Sequence, residues 1–203
     1  MSVSAQMRTI SATSAVVLGR RNSGDVPTQW FGAGAAQQGL SGPVEHDAFV
    51  AALEGHTARG EHLGTVREGE HQHRPGWDMT FSAPKSVSVM AEVAGDQRLI
   101  EAHDKAVLAA LSYVEQHAVA TRIRQGGKVE TTSTGNLAAA VFRHDTSREL
   151  DPQLHSHAVI MNMTQDAGDQ WRSLESRELY RAYMNAGSVY RQHLAAEASR
   201  LGY

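Results

Sequence analysis

Three histidines packed into one short stretch constrain this chain more than anything else in it: His144, then His155-Ser156-His157 eleven residues further on. Residues two apart on a β-strand point to the same face, so His155 and His157 can aim two imidazoles at one point. Leu137 to His144 reads as a strand ending in the third histidine. Between them, Asp151-Pro152 is a turn signal, because proline presets its own φ and bars the preceding residue from helix. An antiparallel return across that turn sets His144 beside the His155/His157 pair. Three neutral nitrogens on adjacent strands then fill three corners of a tetrahedron or half of an octahedron, with positions left open for substrate. Val159 and Ile160 continue an apolar strand beyond the pair, which fixes the histidines on a scaffold element. Imidazole donors by themselves favour Zn, Ni or Mn over Mg, which prefers oxygen.

The chain holds 11 histidines, so such pairs also arise by chance, and a lone buried histidine is more often a hydrogen-bonded core residue than a ligand. His71 and His73 share the same spacing but sit in the polar run from Glu68 to Pro75, and they read as solvated loop residues. A second informative block surrounds Asp78. Trp77, Met79 and Phe81 alternate with Asp78, Thr80 and Ser82, the period of a half-buried strand, which turns the apolar trio to the core and Asp78 to a cleft.

Phe142-Arg143-His144-Asp145-Thr146-Ser147-Arg148, followed by Asp151-Pro152-Gln153-Leu154-His155-Ser156-His157-Ala158-Val159, closely resembles the metal-binding motif of conjugative relaxases of the MobF class, members of the HUH endonuclease superfamily. Gly76-Trp77-Asp78-Met79-Thr80-Phe81-Ser82-Ala83-Pro84-Lys85-Ser86-Val87-Ser88-Val89 is similar to the other signature of that class. Smaller echoes at Gly39-Leu40-Ser41-Gly42, Thr134-Gly135-Asn136-Leu137 and Gln170-Trp171-Arg172 extend the likeness from about residue 30 to the C-terminus. The resemblance implies nicking of one DNA strand at a plasmid's origin of transfer, beside an inverted repeat, by a tyrosine that forms a reversible 5′-phosphotyrosyl link. It implies one divalent ion, Mg or Mn in the family, on His144, His155 and His157, acting as a Lewis acid on the scissile phosphate. It also gives Asp78 the task of supporting a ligand histidine and assisting tyrosine deprotonation, a carboxylate there fixing the ring's tautomer and raising its basicity. Single-stranded DNA is the implied partner, with accessory relaxosome and secretion-coupling proteins, in the cytoplasm of a bacterium and encoded on a plasmid or mobile element.

One departure from the family is large. Its nucleophilic tyrosine lies close to the N-terminus, whereas the first of the five tyrosines here is Tyr113. Ile10 to Gly19 resembles the family on each side of its tyrosine loop, and the loop itself is missing between Ala15 and Val16. Among the late tyrosines, Tyr183 and Tyr190 fall on a helical stripe with Gly187, Leu194, Ala198 and Leu201 and read as core. Tyr180 lies off that stripe and is the remaining candidate nucleophile.

A net charge of −3 is unusual for a DNA-binding chain, but its distribution is uneven. Six acidic residues face Arg59 and Arg67 between Glu45 and Glu70, whereas Arg122, Arg124, Lys128, Arg143 and Arg148 face only Glu130 and Asp145 further on. Phosphate binding needs a local basic surface and not a basic total. Lys85 and Arg148, inside the two motifs, are the best candidates for DNA contacts. The absence of cysteine excludes disulfides and zinc–thiolate sites, and no apolar run is long enough for membrane insertion.

Residues 1–203 read as a single relaxase domain, shortened at its C-terminal side, with 41–70 a small helical or loop-rich insertion anchored by Phe49, Leu53 and Leu63. Asp96 to Val119 forms an amphipathic helix, and Gln125-Gly126-Gly127-Lys128 a turn into the strand Val129–Thr134. The order of elements predicts an α+β fold with an antiparallel β-sheet flanked by helices and the metal site on central strands. Three functions follow from these residues: a strand-transferring enzyme, a module that recognises an origin hairpin without cutting it, or an unrelated three-histidine metal hydrolase. The Asp78 block has no reason to exist in the third.

Overall fold

The computed structural model describes residues 5–11, 27–147, 149 and 151–203. Its centre is a five-stranded sheet in the order β1 (Ala5–Ile10), β5 (Gly76–Ser82), β9 (Pro152–Met161), β8 (Ala139–Thr146), β2 (Thr28–Phe31), with every neighbouring pair antiparallel. This is the α+β architecture that the order of elements predicts. β9 is the middle strand, so both its edges are hydrogen-bonded and its register is set from two sides.

Side-chain parity divides the sheet into two faces. Trp77, Met79 and Phe81 on β5, Ala158 and Ile160 on β9, and Ala139 and Val141 on β8 join one core cluster. That cluster is closed by two long helices, α4 (Gln97–Ala118) and α5 (Ser176–Arg200), with α3 (Lys85–Glu92) beside them. Helix α4 follows the expected pattern, burying Ile100, Val107, Leu111, Val114 and Ala118 along one stripe. It starts where Asp96 accepts a hydrogen bond from the Arg98 N–H at 3.1 Å, a side-chain cap on a free helix-end donor. Helix α5 buries Tyr190 and Leu194 as its sequence stripe predicts, with Tyr183 partly buried against the same cluster.

The other face carries Ile10, Trp30, Phe142, Val159 and Met161 and is covered over part of its length by α2 (His46–Glu54), whose Phe49 and Leu53 are fully buried. Phe49 meets Phe142 edge-on, ring centroids 5.1 Å apart. A short helix, α1 (Ala33–Gln37), precedes it. The stretch 41–70 therefore contributes its anchors directly to the sheet, with Leu63 partly buried on the same cluster. Small hairpins complete the fold: β3 (Thr65–Arg67) with β4 (Glu70–Gln72), β6 (Ala120–Gln125) with β7 (Lys128–Ser133), and β10 (Thr164–Gln165) with β11 (Trp171–Arg172).

The turn between the metal-motif strands differs from the sequence expectation in one detail. Asp151 closes it as expected, but on Ser147 and without Pro152: Ser147 Oγ accepts from the Glu149 and Asp151 N–H groups at 3.2 Å each, and the Ser147 N–H donates to Asp151 O at 2.8 Å. Pro152 is already in strand, opposite Thr146 and next to a register shift after His144. The first residue of a strand is a position where proline's missing N–H does little harm. The tyrosine-loop junction between Ala15 and Val16, and Arg148, lie outside the described residues.

Candidate metal centre on the open sheet face

The register places the histidines as their spacing predicts. His144 on β8 is directly across from His155 on β9, and His157 lies across from Phe142 on one side and Thr80 on the other. All three side chains are on the face opposite α4 and α5, at the end of the sheet that α2 does not cover. Their ring centroids form a near-equilateral triangle, 5.2 Å for His144–His155, 5.3 Å for His155–His157 and 5.5 Å for His144–His157. Three imidazoles held tetrahedrally around one ion by metal–nitrogen bonds of roughly 2.1 Å have centroids about 5 Å apart. The ring spacing therefore suits an ion, although no three described side chains have their donor atoms already gathered to ligating distance.

Two of the rings are also held in the ligating tautomer. His155 Nδ1 donates to Gln153 O at 2.8 Å, and His157 Nδ1 donates to Asp78, 2.9 Å from Oδ2 and 3.0 Å from Oδ1. Each ring thus presents Nε2 with its lone pair outward, the arrangement in which carboxylate and carbonyl partners orient metal-ligating histidines. Burial pushes the His155 pKa down, partly opposed by the Gln153 carbonyl, so the neutral ligand form is favoured.

Asp78 is wholly buried on β5, on the histidine side of the strand as the alternation predicts. Its carboxylate also accepts from Arg8 on β1, the residue directly across in register, at 3.2 Å from Nε and 3.1 Å from Nη2. A buried carboxylate needs such partners, since an unpaired charge in the interior is costly. Thr80 Oγ1 lies 3.1 Å from His157 Nδ1 and closes the group. Arg8 escaped the sequence reading, because the only signal for it is a strand pairing between segments 70 residues apart.

Lys85, at the start of α3, is exposed, and its Nζ donates to Pro152 O at 3.0 Å, tying the helix to the beginning of β9. Of the basic run, Arg122 pairs with Glu175 at 3.0 Å and Arg143 pairs with Asp104 on α4. The tyrosines are all in the helical layer. The Tyr180 hydroxyl bonds Thr9 Oγ1 at 3.2 Å, and Thr9 lies across from Trp77 on the helix-covered face. Tyr190 is buried, Tyr113 OH accepts from Asn185 at 3.1 Å, and Tyr203 OH donates to Asp96 at 2.8 Å. His103, a fully buried histidine missed in the sequence, sits under β9, 2.8 Å from Ser156 Oγ and 2.8 Å from Tyr190 OH.

A family profile described as TrwC relaxase matches residues 20–203. The chain belongs to the TrwC relaxase family. It is 45% identical over 189 residues to the multifunctional conjugation protein TraI of Escherichia coli (strain K12), covering 89% of this chain and 11% of TraI. It thus spans about a tenth of the length of the curated relatives it matches. The conjugative relaxase TrwC, solved metal-bound in complex with oriT DNA, superposes with a TM-score of 0.91 at 40% identity, covering 98% of this chain and 71% of that one. A TrwC complex with a 27-mer DNA comprising the recognition hairpin and the cleavage site gives 0.85 at 42% identity, over 98% and 70% of the two chains. The relaxase fold and the expected antiparallel architecture are thereby the same. No helix among the described residues is long and apolar enough to cross a membrane.

Proposed function

We propose that this chain carries the electrophilic half of a conjugative relaxase centre, for strand-specific nicking and strand transfer at a plasmid's origin of transfer through a 5′-phosphotyrosyl intermediate. The observation that carries the reading is the buried Asp78 carboxylate on the partly exposed His157, beside two further imidazoles on an uncovered part of the sheet. His144, His155 and His157 would hold one divalent ion, whose chemistry when bound is Lewis-acid polarisation of the scissile phosphate. The donor set places Mn, Zn or Ni ahead of Mg, the family's association with Mg or Mn notwithstanding.

The chain's own residues do the rest. Gln153 and Asp78 fix two rings with Nε2 outward, and the neutral ligands leave the ion's charge uncancelled. Asp78, with both oxygens engaged by His157 and Arg8, acts as a positioning residue. In the same reading Asp78 also assists deprotonation of the attacking tyrosine. Lys85 steadies the start of β9, and Lys85 and Arg148 are assigned to DNA phosphates. Single-stranded DNA with an adjacent inverted repeat is the proposed partner, and accessory relaxosome and secretion-coupling proteins in a bacterial cytoplasm belong to the same reading. Residues 1–203 then act as one relaxase unit, with 41–70 inserted in it.

One observation favours a second reading, a module that binds origin DNA without cutting it. None of the five tyrosines stands on the histidine face. Covalent strand transfer needs an attacking oxygen in line with the leaving group. Incubation with labelled single-stranded origin DNA and Mn, followed by a denaturing gel, separates the readings. The chain should bind origin over scrambled sequence yet give no covalent band, and the same chain with a tyrosine-bearing loop between Ala15 and Val16 should give one. A covalent band from the unaltered chain would make a helix tyrosine, foremost Tyr180, the nucleophile. Equal affinity for both sequences would remove origin recognition.

A further inference from the structure

Away from the His144 cluster, four more histidines gather where the end of α2, the loop after it and the β3–β4 hairpin meet. His56 and His62 face each other across an isolated antiparallel bridge, with ring centroids 4.1 Å apart and planes 18° from parallel. His71, on β4, stacks on His62 at 3.4 Å and 16°. His73 follows, with the ring partly buried. Of the expectation that His71 and His73 are solvated loop residues, only the exposure of His71 holds: His71 lies on β4, and His73 is partly buried. Both His73 nitrogens are buried and meet no hydrogen-bond partner, and neither does one carboxylate oxygen of Glu61. Buried polar atoms without partners cost free energy, and such a pair marks a place where a bonding atom belongs.

The surroundings are shaped for these rings. A Cβ at Gly55 would come within 3.0 Å of the His73 ring and one at Gly64 within 2.7 Å of His71 Cε1, and both glycines have positive φ, 87° and 136°. Only glycine combines that backbone with that closeness. His62 Nε2 donates to Glu54 O at 3.0 Å, which leaves Nδ1 with its lone pair, and His56 Nε2 lies 3.7 Å from a Glu54 carboxylate oxygen. The His62 bond is a supporting contact of the kind that metal-ligating histidines carry. The segment's acidic excess, six carboxylates from Glu45 to Glu70 against Arg59 and Arg67, repels DNA and attracts cations.

We propose that His56, His62, His71 and His73 form a second centre, for one borderline transition-metal ion such as Zn, Ni or Cu. Imidazole-rich donors select these ions over Mg. Ligation replaces the ring stacking, because no three donor atoms among the described residues are yet gathered to ligating distance: His73 and the Glu54-bonded His62 keep their places, and the exposed His56 and His71 rotate about their side-chain bonds to meet the ion. The centre is remote from His157, because seven residues of mostly extended chain, roughly 20 Å, separate His73 from Thr80, its neighbour in register. It clips the β3–β4 hairpin, whose six residues are all exposed, to the end of α2. A two-stranded hairpin by itself is barely stable in water, so a cross-link there has a clear effect.

The test is the number of ions bound by the whole chain in equilibrium dialysis against Zn, Ni and Cu, read by elemental analysis. The wild type should bind two equivalents, His56→Gln/His71→Gln one, His144→Gln/His155→Gln/His157→Gln one, and the combined variant none. Zn should also slow amide exchange across residues 65–72 in the triple variant, which keeps only the second centre. His56 and His71 are exposed, so their replacement leaves the core intact, and unchanged circular dichroism confirms it. One equivalent in the wild type, or a second equivalent that survives His56→Gln/His71→Gln, overturns the proposal. Neither outcome touches the DNA reading, which rests on the other cluster.

Discussion

The two faces of the central sheet are built by opposite rules. On the face under α4 and α5 most side chains are apolar, and the polar ones are paired: His103 with Ser156 in full burial, Thr9 with Tyr180, and Arg143 with Asp104. On the other face, α2 seals one end with Phe49 and Leu53 while the opposite end is left to histidines, a carboxylate and an arginine. The same strands serve both, since each alternate residue of β9 belongs to one face or the other. Stability and chemistry are thus separated by side-chain parity and not by distance along the chain.

The largest test of that separation is acid. Burial, then the charges of Arg143 and His155, lower the His103 pKa to about 3. A histidine whose folded pKa lies below its unfolded value of roughly 6.5 leaves stability intact above that value. The unfolded chain takes up the proton first, so stability falls as pH drops from about 6.5 toward 3, by on the order of 5 kcal/mol as an upper figure. Urea unfolding of wild type and His103→Gln across that range should show the slope flattened in the variant. An unchanged slope would assign the acid sensitivity to the open face.

Next comes Leu111→Ala, deep in the helix-side cluster. It should cost about 3 kcal/mol in urea unfolding, with ion affinity of the folded protein unchanged. A tenfold affinity loss would show that the faces are coupled. Asp78→Asn reverses the pattern: metal affinity should fall about 10–100-fold as His157 loses its carboxylate partner. DNA binding should stay within a few-fold, and in the loop-containing chain cleavage should slow. Arg8→Ala is the smallest, about 1 kcal/mol in stability, because Arg8 is itself largely exposed and its pair is partly screened. Equal effects of Arg8→Ala and Asp78→Asn on metal affinity would mean that the ion pair, and not the His157 contact, orients the ring.

What could be read from the sequence was what short-range periodicity encodes. Alternation along β5 and β9 fixed the faces of Trp77, Asp78, His155 and His157, and the spacing in α4 gave its buried stripe. The unread parts depend on pairings between distant segments. Arg8 meets Asp78 only because β1 adds to the sheet edge beside β5. His103 lies on the α4 stripe, yet its partners Ser156 and Tyr190 come from β9 and α5. The second histidine group unites three segments of a polar, aperiodic run, where local pattern carries no signal for packing.

The midline position of β9 has a consequence for how this sequence tolerates change in length. A residue gained or lost in the turn at 147–151 can bulge outward, where the ladder is already irregular between His144 and Thr146. A residue gained or lost just after His155 inverts every side chain beyond it, driving the His157 imidazole into the helical core and turning Ala158 and Ile160 to the face of Asp78 and α2. Insertions and deletions in descendants of this chain are therefore confined to the rim, and the centre of the sheet evolves by substitution alone.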